Sequence, residues 1–259
     1  MATWLIHLQV ADAIADDLPG LSVNPLLLGA IAPDSGIQTS AGVFAPSKQE
    51  THFLMRNGRV PSGRHGRSHY HCDEIEFRCR YLEDTDELND RTSFLVGYLS
   101  HLMVDNLWGQ TIGLATKQRF IEPAEDRAEA WERVKADWYD VDAIKLLRNP
   151  FIRAWLRFLD IPAARSYIDI VSAQHVRQLM MMIRKRYTLT AVEAQIATSR
   201  TYPYLTVAQS NRFVENATEI VAEAIHRCLE ADVSGEATDR HSYLDVGDVR
   251  MTRELLWAT

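Results

Sequence analysis

The stretch Gly97–Trp108, GYLSHLMVDNLW, decides how the rest of the chain is interpreted. Its apolar residues predict a buried helix, and His101 and Asp105 are four residues apart, so both side chains project from one face of that helix. An imidazole and a carboxylate on adjacent turns can bind one divalent cation, and burying them without such a partner costs free energy. A His–Asp hydrogen bond on a partly hydrated helix face is the alternative. The pair by itself leaves both interpretations open.

The composition of the chain favours a single folded domain over residues 1–259. The chain is 46% hydrophobic and 24% charged, which is enough to bury a full core, and no composition change marks a boundary between two domains. A net charge of −7 argues against a general nucleic-acid surface. No apolar run is long enough to span a bilayer, and the amino-terminal residues have the pattern of an amphipathic helix rather than of a signal peptide. We therefore expect a cytoplasmic protein of unknown oligomeric state.

Helical periodicity recurs along most of the chain. Thr3 can cap a first helix, and Asn24-Pro25 is a start signal for a short apolar second helix. The central helix should begin near Asp90, and Glu122-Pro123 should begin a long charged helix. No alternating strand pattern is present. The predicted fold class is therefore all-α, a multi-helix bundle.

Two regions depart from the helical pattern. The chain is rich in Gly, Ser, Pro and Thr from Ser35 to Arg67, which predicts a long irregular loop around residues 35–70. This loop contains His52 and a basic section that includes Arg56. From about residue 233 the sequence is mostly polar, which predicts a polar carboxyl-terminal tail.

Four segments, in this order, resemble the zinc-dependent phospholipase C family. They are Trp-x-x-His at residues 4–7, GAIAPD at 29–34, Thr-His-Phe at 51–53 and GYLSHLMVDNLW at 97–108. The resemblance covers roughly the first 110 residues. It implies a mostly helical domain in which a cluster of zinc ions hydrolyses phosphodiester bonds. Residue by residue, it implies five metal ligands: His7, Asp34, His52, His101 and Asp105.

The residue types of these five side chains suit that chemistry. Imidazole nitrogens and carboxylate oxygens bind Zn²⁺, and also Fe or Mn, and Asp34 or Asp105 can bridge two ions. Two ions about 3.5–4 Å apart can stabilise a phosphoryl group and lower the pKa of a bound water to about 7. The resemblance therefore predicts a metal-dependent hydrolase of a phosphate ester or phosphodiester, with two zinc ions and with Asp34 and Asp105 as catalytic carboxylates. The expected substrate is a small phosphoester or a phospholipid-like molecule.

Two features of the family have no counterpart in this sequence. Secreted members use the amino-terminal Trp as a ligand, whereas Trp4 is internal here. No histidine lies between His101 and His175, so the family's second ligand cluster is missing and a three-zinc site is not expected. Four further residues remain candidates for metal or substrate binding, with a solvated helix face or loop as the alternative: Asp137, His69, His71 and Arg56.

Two alternative functions stay open. The ligands can form a structural metal site in a protein that binds a small molecule or a partner without turnover, and the missing second cluster favours this hypothesis. A di-iron or manganese redox site is the third hypothesis, with Glu219, Glu223 and His226 joining His101 and Asp105.

Overall fold

The computed structural model describes residues 1–38, 43–54, 71–83, 87–230, 243–244 and 246–257. These residues form the all-α fold that the periodicity predicts, together with one small antiparallel sheet. The strands are β1 (Ile37–Gln38) and β2 (Phe44–Ala45). The helices are α1 (Trp4–Asp17), α2 (Val23–Ile31), α3 (Lys48–Thr51), α4 (Glu74–Tyr81), α5 (Asp90–Trp108), α6 (Leu114–Thr116), α7 (Arg127–Arg148), α8 (Arg153–Leu159), α9 (Ala173–Tyr187), α10 (Ala191–Ser199), α11 (Val207–Glu230) and α12 (Val246–Trp257).

Helix α5 lies at the centre of the fold and packs directly against α2. A Cβ atom built on Gly97 would lie 2.0 Å from the carbonyl oxygen of Leu26, and one built on Gly29 would lie 2.0 Å from the carbonyl oxygen of Phe94. The two backbones can approach this closely only because glycine carries no side chain. Every residue of α5 from Thr92 to Trp108 is buried as a result.

Aromatic side chains from α4, α7 and α11 pack against α5. The Trp108 ring lies edge-on to Trp138 of α7 and to Phe213 of α11, with centroid distances of 5.1 and 4.9 Å. On another side, Tyr98 stacks on Phe77 of α4 at 4.7 Å. Edge-to-face and stacked pairs of this kind stabilise a core beyond the area that they bury. The polar residues of α5 therefore lie inside an apolar shell.

The long charged helix predicted after the Glu122-Pro123 signal, over residues 125–148, begins two residues later than expected. Helix α7 begins at Arg127, where the Asp126 carboxylate accepts a hydrogen bond of 2.9 Å from the backbone N–H of Glu129. Before it, the chain continues from α5 through π-helical turns and α6 as far as Ile121. The Glu122-Pro123 signal therefore lies just after this extension, and the side-chain cap decides where α7 begins.

Short elements occupy parts of the region predicted as an irregular loop. Strand β1 pairs with β2, and α3 follows Ser47, whose side chain forms a capping box with Glu50. The chain then turns at Phe53, which has a φ of 49° in the left-handed region and is buried. Helix α12 likewise lies in the predicted polar tail. No helix among the described residues has the length and apolar character needed to cross a membrane.

Candidate metal centre

Four separate parts of the fold bring the five predicted ligands together. His7 lies on α1, Asp34 ends the 3-10 turn Ala32–Asp34 after α2, and His52 follows α3 directly. His101 and Asp105 project from α5. None of the five side chains is more than 5% exposed. Their ligand atoms form two groups that share His101, one with His7 and Asp105 and the other with Asp34 and His52.

The distances within these groups suit ligands of a shared ion. His7 Nε2 lies 3.4 Å from Asp105 Oδ1. His52 Nε2 lies 3.5 Å from Asp34 Oδ1 and 3.4 Å from His101 Nε2. His101 Nε2 lies 3.6 Å from Asp105 Oδ2. These separations exceed those of ordinary hydrogen bonds, whereas two ligands about 2.0–2.1 Å from one tetrahedral zinc ion are about 3.3 Å apart.

Neighbouring groups hold two of the imidazoles in a fixed orientation. His101 Nδ1 donates a hydrogen bond of 2.7 Å to the carbonyl oxygen of Ala30, so its Nε2 carries the lone pair that faces the other ligands. His52 Nδ1 lies 3.0 Å from the Thr51 hydroxyl oxygen, which leaves its Nε2 facing the other ligands. Contacts of this kind orient metal-binding histidines and select their tautomer.

Several ligand atoms have no hydrogen-bond partner among the residues that the structure describes. They are Nδ1 and Nε2 of His7 and Oδ2 of Asp105. The other oxygen of Asp105 accepts a hydrogen bond of 2.7 Å from the backbone N–H of Ala2, and the His7 ring stacks on His101 with a centroid distance of 3.8 Å. Buried polar atoms without partners are costly, and a cation bound here would offset that cost. The residues present therefore fit a metal ion.

The electrostatics of the imidazoles keep two of them neutral. Burial, assisted by the nearby His101, lowers the pKa of His7 to about 4. Burial also lowers the pKa of His52. Burial works in the same direction on His101, but the attraction of the nearby Asp105 carboxylate outweighs it and raises the pKa of His101. Neutral imidazole is the form that binds a metal.

The two carboxylates stay ionised in spite of their burial. Burial alone would raise the pKa of Asp34, but the Lys48 ammonium and the nearby His52 ring hold it well below its usual range. Burial is likewise outweighed at Asp105 by the positive groups around it, so its pKa is also held well below the usual range. Both acids therefore present the charged form that binds cations.

The remaining sequence candidates do not join the five ligands. The Asp137 carboxylate is buried but pairs with Arg200, with an Nη2–Oδ1 distance of 3.1 Å. His71 Nε2 lies 3.8 Å from Glu74 Oε2, apart from both ligand groups. His69 and Arg56 fall outside the described residues. The three acidic and imidazole residues of the redox hypothesis are absent from the metal-binding groups found in the described part of the chain: Glu219, Glu223 and His226.

Two residues beside the centre are not predicted from the sequence. Lys48 Nζ lies 3.3 Å from Asp34 Oδ1, and the Trp4 indole Nε1 donates a hydrogen bond of 3.1 Å to Asp34 Oδ2. Trp4 in turn contacts Tyr139 of α7, with ring centroids 4.9 Å apart. The capping-box pattern Ser-Lys-Gln-Glu is the signal that could have placed Lys48, because it starts a helical turn that puts Lys48 four residues before His52.

Comparison with protein families identifies the same segment. The family model described as zinc dependent phospholipase C matches residues 6–109, which run from α1 to the end of α5 and include all five predicted ligands. Comparisons with curated proteins and with solved structures found no match.

Proposed function

The chain belongs to the zinc-dependent phospholipase C family through residues 6–109, and on this premise we propose that it is a zinc-dependent hydrolase of phosphate esters or phosphodiesters. The observation that carries the proposal is the convergence of three imidazoles and two carboxylates, all buried, with contacts of 3.4–3.6 Å between their ligand atoms. Zinc in such a site lowers the pKa of a coordinated water and polarises a phosphoryl oxygen.

The distances indicate how each of the two carboxylates would bind zinc. Asp105 Oδ1 faces His7 Nε2 at 3.4 Å, while Asp105 Oδ2 lies 3.7 Å from His52 Nε2 and 3.6 Å from His101 Nε2. Asp105 would hold zinc through a carboxylate whose two oxygens face different imidazoles. Asp34 would hold zinc through Oδ1, since its Oδ2 accepts the hydrogen bond from the Trp4 indole.

The residues around the ligands have distinct roles in this proposal. The Ala30 carbonyl and the Thr51 hydroxyl orient His101 and His52 before the substrate arrives. Asp34 stays ionised, so its Oδ1 would be available as an anionic ligand for zinc. The surrounding apolar core lowers the local dielectric constant, which strengthens every charge interaction with a phosphate ester.

The substrate class is proposed from the phosphoester chemistry that zinc would support at this site. We propose a small phosphoester or a phospholipid-like molecule as the substrate. A structural zinc site without turnover is the second candidate function, because the family's second ligand cluster is missing between His101 and His175. The two candidates differ in zinc content, since a structural site closes with one ion.

Elemental analysis and a chromogenic phosphodiester assay test the proposal together. We expect about two zinc ions per chain and measurable hydrolysis. Asp105→Asn removes the carboxylate that faces all three histidines, so it should remove zinc and reduce hydrolysis by about 100-fold or more. Asp137→Asn is the matched control, because Asp137 is also a buried acid but pairs with Arg200. An Asp105→Asn protein that keeps its zinc and its activity would overturn the proposal, and one bound zinc without hydrolysis would favour the structural site.

A further inference from the structure

Lys48 brings a positive charge from solvent to the edge of the candidate metal centre. Its side chain is 42% exposed, whereas the Asp34 side chain that it contacts is 5% exposed. Lys48 is the first residue of α3, and the capping box of Ser47 and Glu50 fixes the start of that helix. Its second contact is with the thioether sulfur of Met1 at 3.3 Å, which is only a weak acceptor. Asp34 is therefore the one strong partner of this ammonium among the contacts of the described residues.

The ammonium of Lys48 and a metal ion would compete for the same oxygen. Asp34 Oδ1 lies 3.3 Å from Lys48 Nζ and 3.5 Å from His52 Nε2, so it faces both the ammonium and the imidazole group of ligands. The other oxygen of Asp34 accepts the hydrogen bond from Trp4. A cation bound between Asp34 and His52 takes the charge with which Lys48 pairs and adds positive charge beside it. Lys48 would then be left without a neutralising group at the edge of the centre.

Two arginines that pair with acids of α7 are already neutralised. Arg186 lies over the Tyr139 ring with a distance of 5.9 Å to its centroid, but it pairs with Asp140 at 2.8 Å. Arg200 pairs with Asp140 and with Asp137. Neither of these acids belongs to the ligand groups, so metal binding does not release the arginines. Lys48 differs from them because its carboxylate partner is itself a predicted metal ligand.

We propose that Lys48 is a substrate-binding residue whose ammonium donates a hydrogen bond to a non-bridging phosphoryl oxygen of the ester at the zinc-loaded centre. The inference rests on the proposed function and names one group that recognises the substrate. A flexible ammonium suits this task, because it can leave Asp34 and follow a phosphate oxygen without a fixed planar geometry. The Lys48 ammonium also adds positive charge to a centre that lacks the family's second ligand cluster.

Phosphate binding to the zinc-loaded protein tests the role of Lys48 directly. Inorganic phosphate is titrated by calorimetry into the wild type, Lys48→Met, Lys48→Arg and the control Lys185→Met, whose lysine is exposed on α9. We expect Lys48→Met to bind phosphate about tenfold more weakly, because it loses one charge-assisted hydrogen bond. Lys48→Arg should recover most of the affinity, and Lys185→Met should match the wild type. The KM of a phosphoester should rise in Lys48→Met, with zinc content unchanged.

The outcomes separate this inference from the proposed function. Equal phosphate affinity in zinc-loaded Lys48→Met and in the wild type would overturn the role of Lys48 and leave the hydrolase proposal standing. A wild type that binds no zinc would overturn both. A loss of phosphate affinity in Lys185→Met as large as that in Lys48→Met would also overturn it, because the effect would then reflect net charge alone.

Discussion

Each histidine of the candidate metal centre is held in place by a contact within the protein. His101 is bonded to the Ala30 carbonyl, His52 contacts the Thr51 hydroxyl, and His7 is stacked on His101 with an angle of 9° between the rings. Side chains that are locked before binding lose little conformational entropy when a ligand arrives. The centre is therefore preorganised by burial rather than assembled by the metal.

The burial of His7 predicts an acid sensitivity of the zinc-free protein. The pKa of His7 is about 4 in the folded chain and about 6.5 when unfolded, so the unfolded state takes up the proton first as the pH falls. We expect this residue to remove on the order of 3 kcal/mol of unfolding free energy between pH 6.5 and pH 4. Urea unfolding of the zinc-free wild type and of His7→Gln across this range measures the effect. An identical pH dependence in both proteins would show that His7 is not buried in its neutral form.

The contact between α2 and α5 connects the fold to the geometry of the centre. This contact sets the distance between the Ala30 carbonyl and His101. Ala30 directly follows Gly29, and His101 lies about one turn after Gly97, so both residues are next to the close approach of the two helices. A Cβ atom on Gly97 would lie 2.0 Å from the Leu26 carbonyl oxygen, and backbone cannot move aside as a flexible side chain can. The position of a predicted ligand therefore depends on a residue without any side chain.

Replacement of Gly97 by alanine tests this dependence. We expect Gly97→Ala to lower the unfolding free energy by about 3 kcal/mol, because α5 must move away from α2. Zinc affinity should fall as well, since His101 is displaced from the Ala30 carbonyl. Gly113→Ala is the control, because its nearest contact would be the Trp108 carbonyl oxygen at 3.4 Å. Chemical denaturation and zinc titration of both variants decide the matter, and equal stability would contradict the close packing.

The elements that could be predicted from the sequence are those with strong local signals. The apolar run around His101 and Asp105 predicts the buried helix α5, and the structure has it. The start of α7 is predicted only to within two residues, because the Asp126 cap, and not the Glu122-Pro123 signal, sets it. The meeting of the five ligands was expected only from the family resemblance, since spacing relates His101 to Asp105 alone. The sequence does not predict the contact between Lys48 and Asp34. The two residues are 14 positions apart, and only the folded turn before α3 brings them together.

Helices from beyond the family segment pack against residues that adjoin the candidate metal centre. Trp108, at the end of α5, contacts Trp138 and Phe213, and Trp4 contacts Tyr139. These rings belong to α7 and α11, which follow the matched residues 6–109. Helices α7 and α11 therefore pack against α5 and Trp4, which adjoin the candidate metal centre, and the stability of the two parts should be coupled.

Removal of the metal tests this coupling across the molecule. The ligands come from α1, α5 and the turns after α2 and α3, so a bound ion joins four parts of the fold. An ion present at about 1,000 times its dissociation constant stabilises the folded state by about 4 kcal/mol, which for a chain of this size corresponds to a Tm shift of roughly 10 °C. We expect a chelator to lower the Tm of the wild type by that amount in a single cooperative transition, because α7 and α11 pack on the same core. The Asp105→Asn variant should melt at one temperature with or without chelator. A wild-type Tm that does not respond to the chelator would contradict a metal that joins these elements, and two separate transitions would contradict the coupling of the later helices to the centre.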